Sequence, residues 1–367
     1  MHMTRRDTLA FSFAAFATSA RAESKVMTNA FQLIQAQIDN GTLQHAVLRV
    51  QRGSEVTQRA FGKATPESMF LLGSITKPLT AAAVMFLVDR GELNLSDAAV
   101  KVLPEFNEGP RKHITIEQLL THTSGLPDQL ANNAELRASH APLADFVKGA
   151  MHTPLLFAPG TRYLYQSMGI LLAAEIGERV TKAPLPKFLQ EQVFAPLGMK
   201  RTVLGLGGFS KSDMVPMQTE HAAPEAGGGD PKAREWDWNS DYWRNLAAPW
   251  GGAHSTASDI ATFLRSFMHP DGELMREATA RLMITDHTPK LEAHRGIGFM
   301  VGPVGLSKGC SARAFGHSGS TGTLAWADPA TDMTFVLLTS LPKNVSGELI
   351  LYPVADCISA SSSKTPR

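Results

Sequence analysis

Cysteine is scarce in this chain: Cys310 and Cys357 are the only two among 367 residues. Two are too few for a disulfide framework. In an oxidising compartment they can form one bridge or stay as two buried thiols. No C-x-x-C is present, and the twelve histidines form neither H-E-x-x-H nor a carboxylate-flanked pair at helical spacing. These gaps argue against a metal site, and no cofactor is expected. Net charge is lacking too. The 35 Lys plus Arg and 34 Asp plus Glu leave a formal +1, with no basic block. Nucleic acid and anionic membrane surfaces thereby lose their usual electrostatic warrant, and the expected partner is a small or neutral molecule. Low complexity and repeats are also missing. A composition of 43% hydrophobic and 19% charged residues, with 30 Gly and 22 Pro, is that of an ordinary globular chain. Its length suffices for one large core, or one core with a sizeable insertion.

The apolar run near the start, Leu9 to Ala17, is too short to span a bilayer. It follows Thr4-Arg5-Arg6-Asp7 and precedes Ala20-Arg21-Ala22, with small residues at both cleavage positions and Glu23 next. A charged start, a short apolar stretch and A-x-A describe a signal peptide over residues 1–22. Arg5-Arg6, followed after two residues by Leu9, resembles a twin-arginine signal; a Sec signal with two chance arginines is the alternative. Either route predicts a periplasmic or secreted protein with no stable membrane insertion once the signal is removed.

Both ends of the remaining chain read as strand-rich. Ala46 to Val50 and Val56 to Phe61 flank Arg52-Gly53-Ser54 as a hairpin. Leu324 to Ala327 and Thr334 to Leu338 flank Asp328 to Asp332 as a second, with a further strand at Gly298 to Val301. Helices are predicted from Asn29 to Asn40, stopped by Gly41, and from Leu349 to Ile358. The middle is mainly helical. Ser74 to Arg90 is apolar almost all round, the mark of a buried helix, and Gly91 ends it. Thr115 and Gln118 form a capping box, and Met168 to Val180 and Lys187 to Phe194 are further helices. The expected fold class is therefore α/β (α+β): an antiparallel sheet built from both chain ends and flanked by helices, with a mainly helical inserted region. In domain terms, one domain covers 23–360, with its α/β part at about 23–75 and 255–360 and its helical part at about 76–254. Residues 361–367 are a frayed tail.

Between His221 and Trp250 a glycine-rich loop gives way to Trp236, Trp238, Tyr242, Trp243 and Trp250, which include four of the five tryptophans. These rings either pin the loop to the body or wall a substrate pocket, with Trp238 and Trp243 as candidate contacts.

Ser74-Ile75-Thr76-Lys77 is an S-x-x-K. Positions i and i+3 share one helix face, so hydroxyl and ammonium lie side by side. Gly73 permits a sharp entry and Pro78 is tolerable only near a helix start, which places Ser74 where free N–H groups and the helix dipole favour negative charge. A serine attacking a carbonyl needs that field for its oxyanion, and it needs a base; a lysine desolvated in an apolar helix can serve. The pattern alone is weak, since Ser361-Ser362-Ser363-Lys364 in the tail matches it too. Tyr165-Gln166-Ser167 enters the helix at Met168, and its phenol can act as a general base if a cation stabilises it, or simply pack. In Phe315-Gly316-His317-Ser318-Gly319-Ser320, Gly319 lets a substrate approach a strand edge. His317 can bind a substrate carboxylate, relay protons or be structural. No G-x-S-x-G occurs, which disfavours an α/β-hydrolase triad.

These three elements, in this order, resemble the serine β-lactamase and penicillin-binding superfamily, in particular its class C branch with D-alanyl-D-alanine peptidases, D-aminopeptidases and carboxylesterases. Supporting stretches are Gly91 to Asp97, Leu119 to Pro127, Phe157 to Thr161, Pro196 to Met199 and Gly251 to Asp259, and the match spans about 29–345. The resemblance implies a β-lactamase/transpeptidase-like fold and an acyl-enzyme on Ser74. Lys77 and Tyr165 would share the base role, and the N–H groups of Ser74 and Ser320 would form the oxyanion hole. His317 would stand in the catalytic third motif, with Ser167, Ser318 and Gly319 contacting substrate. Two departures matter: Ser167 stands where the family usually has asparagine, and His317 where it usually has lysine. Both weigh against efficient β-lactam hydrolysis. They shift the expectation to small esters, then to D-stereospecific peptides or amides, with a non-catalytic scaffold as the rival from another class.

Overall fold

A computed structural model describes residues 25–360 apart from Glu292. The signal-peptide reading of 1–22 and the tail at 361–367 lie outside the described residues. Within them, no helix is long and apolar enough to cross a membrane.

The strands come from both ends of the chain: β1 (His45–Arg52) and β2 (Glu55–Gly62), then β6 (Met300–Val301), β7 (Phe315–Gly319), β8 (Thr323–Asp328) and β9 (Met333–Thr339). They form a six-stranded sheet in the order β2-β1-β9-β8-β7-β6, antiparallel throughout. Because side chains alternate along a strand, each inner strand feeds two layers. Leu48, Leu324, Trp326, Phe335 and Leu337 face helix α1 (25–39) and the C-terminal helix Tyr352–Ser359. Val47, Ala325, Ala327, Val336 and Leu338 face the larger core of the helical region. Trp326 stacks on Phe335 with centroids 5.2 Å apart, a pairing worth about 0.5–1.5 kcal/mol beyond its buried area. The predicted hairpins and the antiparallel sheet made from both termini are thus observed.

Helix α2 (Thr76–Asp89) runs through the larger core with nearly every side chain buried, as its apolar sequence demands, and Gly91 follows its end at φ +74°. The capping box of Thr115 and Gln118 is formed at the start of α3 (Ile116–Leu120). The helical middle also holds a small three-stranded sheet that the sequence did not lead us to expect. Its strands are β3 (Phe70–Leu71), β4 (Val203–Leu204) and β5 (Ala253–Ser255), in the order β3-β5-β4. Strands of two or three residues are too short to carry a period. The strand expected at Gly298 to Val301 keeps only Met300 and Val301. Gly298 has φ +76° and packs so closely on α2 that a Cβ there would lie 2.5 Å from the Ala81 methyl. Cys310 and Cys357 are free thiols in the layer with α1, so the unbridged alternative is the one observed.

Candidate active site

The small sheet positions Ser74. Leu72 donates its N–H to Ala253 O at 2.9 Å, and the chain then turns at Gly73, φ +55°. A Cβ at Gly73 would lie 2.8 Å from Thr321 Oγ1, so only glycine fits this turn. Ser74 follows in a single 3₁₀ turn, Gly73–Ile75, that leads into α2, so the α-helix proper begins at Thr76, two residues after the start the sequence indicated. Lys77 lies one turn on, its Nζ 3.1 Å from Ser74 Oγ and 3.0 Å from Trp250 O. Two α2 hydroxyls hold that carbonyl in place: Thr80 donates to Pro249 O at 2.6 Å, and Thr76 accepts from Ala253 N at 3.1 Å. Lys77 is 1% exposed. Burial lowers its pKa from the ordinary lysine range to about 7, with Asp128 opposing the shift and Arg295 adding to it.

Tyr165 completes this group. Its phenol is hydrogen-bonded to Ser74, and Lys77 Nζ lies 4.7 Å from its ring centroid. Burial pushes that phenol well above the ordinary tyrosine range, only partly offset by the bond to Ser74. In the resting site it holds its proton. Behind it packs His122, held at φ +63°, with ring centroids 4.8 Å apart. His122 Nδ1 accepts from Gln166 N at 3.3 Å, and burial keeps the imidazole neutral. The Arg295 guanidinium sits 5.7 Å from the Tyr165 ring and donates to the Tyr163 hydroxyl.

The end of β7 is strapped to the segment before Ser74. Thr321 Oγ1 donates to Leu71 O and Thr323 Oγ1 to Leu72 O, both at 2.7 Å. A Cβ at Gly319 would fall 2.1 Å from Leu72 O, so glycine here serves close backbone packing. This differs from the substrate approach expected of Gly319. We expect Gly319→Ala to cost about 1–3 kcal/mol of stability and to lower turnover by displacing Ser320. Thermal denaturation and ester kinetics check this, and an unchanged melting temperature with unchanged turnover would refute it.

Of the three readings of His317, its surroundings suit the structural one better than a charged carboxylate ligand. Its Nδ1 donates to Ser318 O at 2.7 Å, which fixes the tautomer, and burial pushes its pKa well below the ordinary histidine range. A buried neutral imidazole brings no charge to a substrate. The Ser318 hydroxyl accepts instead from Lys343 Nζ at 2.8 Å. His317, Ser318 and Gly319 are buried, and the next residue, Ser320, lines the cavity.

The cavity, of about 370 Å³, is lined by Ser74, Tyr165, Ser167, Ser320, Trp238, Trp243 and Trp250, with Asp128, Arg137 and Lys343 as its charged members. The residues of the aromatic stretch divide between two places. Trp238, Trp243 and Trp250 wall the cavity, while Tyr242 pins the segment by donating to Ala141 O at 2.8 Å. Ser167 Oγ donates to Asp128 Oδ1 at 2.6 Å. Asp128 and Lys343 were not singled out from the sequence. Asp128 directly follows the stretch Leu119 to Pro127, whereas nothing in the sequence near Lys343 marks it as part of a site.

Ser74, Lys77 and Tyr165 thus come together between a two-ended antiparallel sheet and a helical region. The chain belongs to the Beta-lactamase family, which it matches over residues 30–356. Among curated proteins, one from Escherichia coli (strain K12) named "Putative D-alanyl-D-alanine carboxypeptidase" is 27% identical over 322 residues, covering 80% of this chain and 72% of that protein. Among solved structures, EstCE1, described as a hydrolase with promiscuous acyltransferase activity, superposes with TM-score 0.75 at 21% identity, over 92% of this chain and 99% of that one. A penicillin-binding protein homologue from Caulobacter crescentus superposes with TM-score 0.71 at 23% identity, over 92% and 97%. The antiparallel sheet with its helical region is thus the fold expected from the family resemblance, and the family is one of serine hydrolases.

Proposed function

We propose that this protein hydrolyses small carboxylic esters through an acyl-enzyme on Ser74. The observation that carries the reading is the Ser74–Lys77 contact of 3.1 Å, with an amine whose pKa lies near 7, at the floor of a tryptophan-walled cavity. Neutral Lys77 takes the proton as Ser74 Oγ attacks the carbonyl. The N–H groups of Ser74 and Ser320 receive the oxyanion. Tyr165, protonated at rest and bonded to Ser74, passes a proton to the departing alkoxide. The Lys77 ammonium then returns a proton to Tyr165, so that Lys77 is neutral when water attacks the acyl-enzyme; it takes the water's proton and passes it to Ser74 Oγ as the acid leaves. Ester substrates are favoured over β-lactams because Ser167 spends its hydroxyl on Asp128 and His317 is neutral and buried.

A second reading, a D-stereospecific peptidase or amidase, is favoured by Lys343, a cavity-lining amine anchored to Ser318 and placed to meet a peptide's terminal carboxylate. Short-chain nitrophenyl esters and nitrocefin separate these readings, with intact-mass detection of the trapped acyl group. We expect an adduct on Ser74 and ester turnover well above nitrocefin turnover. The reverse ranking would overturn the ester reading, and an adduct elsewhere would overturn the nucleophile.

A further inference from the structure

Tyr165 sits on a stretch without regular structure, yet its ring must hold one direction for the phenol to meet Ser74. One residue grips that stretch from both sides. His122 O accepts from Leu164 N at 3.1 Å, and His122 Nδ1 accepts from Gln166 N at 3.3 Å. The two bonds bracket Tyr165, the residue between them, and the imidazole packs on its ring with centroids 4.8 Å apart. The Nδ1 bond needs a neutral ring, which burial and the nearby charges of Arg295 and Lys77 maintain. The backbone gives an independent sign. Thr121 caps α3, so His122 takes the next position at φ +63°, where a helix end usually carries glycine. A histidine there is strained, and such strain persists where a side chain is needed. At 1% exposure, His122 can act on a substrate only through Tyr165.

We propose that His122 is a positioning residue that aims the Tyr165 phenol at the leaving-group oxygen, and so sets how well esters of unactivated alcohols are cleaved. The proposal rests on the acyl-enzyme reading above, in which the phenol proton passes to the departing oxygen as its bond to the acyl carbon breaks. A nitrophenolate can leave without that proton, whereas an alkoxide needs it. The rival is a ring that merely anchors the loop. Ser124 Oγ already ties that loop to Gln166 Oε1 at 2.8 Å, so the attachment does not hang on the imidazole alone.

Ethyl and nitrophenyl butyrate test it, since they share an acyl group and differ in what leaves. The readout is the ratio of their kcat/KM values, ethyl over nitrophenyl, which reports the acylation step. His122→Gly suits the left-handed backbone and removes the ring. We expect it to lower the ratio by roughly tenfold, part of the hundredfold or more that a general acid supplies. Tyr165→Phe should lower the ratio at least as far, and adding His122→Gly to it should change the ratio by less than about twofold. His122→Asn also tolerates the left-handed backbone and offers Oδ1 in place of Nδ1, so it should recover part of the ratio. Should the glycine variant fail to fold, the asparagine variant carries the same comparison against the wild type. A ratio unchanged by His122 substitution, an equal loss on both esters, or a full further drop in the Tyr165→Phe background would overturn the positioning role. A ratio unchanged by Tyr165→Phe would instead overturn the acid role of Tyr165, and absence of any hydrolysis by the wild type would overturn the esterase reading.

Discussion

Ser74→Ala is expected to lower kcat/KM on any ester the wild type accepts by a thousandfold to a millionfold, about the range seen when a nucleophile is removed from an acyl-transfer site. The large effect follows because Lys77 and Tyr165 both address the same Oγ. The protein itself should hardly notice. Ser74 is half-buried, and its hydroxyl accepts from Lys77 Nζ, so the loss is that of a hydrogen bond at a partly exposed site, about 1 kcal/mol. Lys77 keeps its bond to Trp250 O, and the turn at Gly73 does not depend on the hydroxyl. A fluorophosphonate probe should label the wild type and leave the variant unmarked, with the two melting at nearly the same temperature. Equal labelling of both would remove Ser74 from the mechanism. A large drop in melting temperature would show that lost activity reports lost folding.

Much of this site could be read before any coordinates, and what was missed shares one physical cause. Local spacing points to Ser74, Lys77 and Tyr165, as an i, i+3 pair beside a glycine turn and a tyrosine before a helix, while Ser320 follows from the family resemblance as the residue after the third motif. The long hairpins of β1–β2 and β8–β9 were visible for the same reason, as apolar runs around turn residues. Asp128 and Lys343 are placed by tertiary packing. Lys343 arrives because β9 returns beside β8 and its following loop bonds Lys343 N to Ser320 O at 2.9 Å, a consequence of register that no nearby residue signals. Asp128 meets Ser167 across 39 positions of chain. The sequence showed correctly that Ser167 reaches less far than asparagine. It could not show that a carboxylate waits within that shorter reach. For His317 the residue type leaves charged and structural roles open, and burial is what disfavours the charged one.

Lys77 carries the second large effect, and it is best read through pH. A lysine whose folded pKa is lowered to about 7 sheds its proton near neutrality, so kcat/KM should rise with pH and reach half its plateau near that value. Tyr165 cannot produce this limb, since its phenol is pushed upward and stays protonated through the same range. Lys77→Met keeps the length and suits the apolar surroundings of α2, yet it removes the base. We expect kcat/KM to fall by about a hundredfold to ten-thousandfold and the limb near pH 7 to vanish. Lys77→Arg should be as damaging for the opposite reason, because a guanidinium keeps its proton at every pH of interest. The neighbours supply an internal check. Asp128 raises the Lys77 pKa, so Asp128→Asn should move the limb to lower pH; Arg295 lowers it, so Arg295→Met should move the limb upward. A limb near pH 7 that persisted in Lys77→Met would assign the base to another group. Shifts of the same sign in both neighbour variants would show that the field at Lys77 is not set by these two charges.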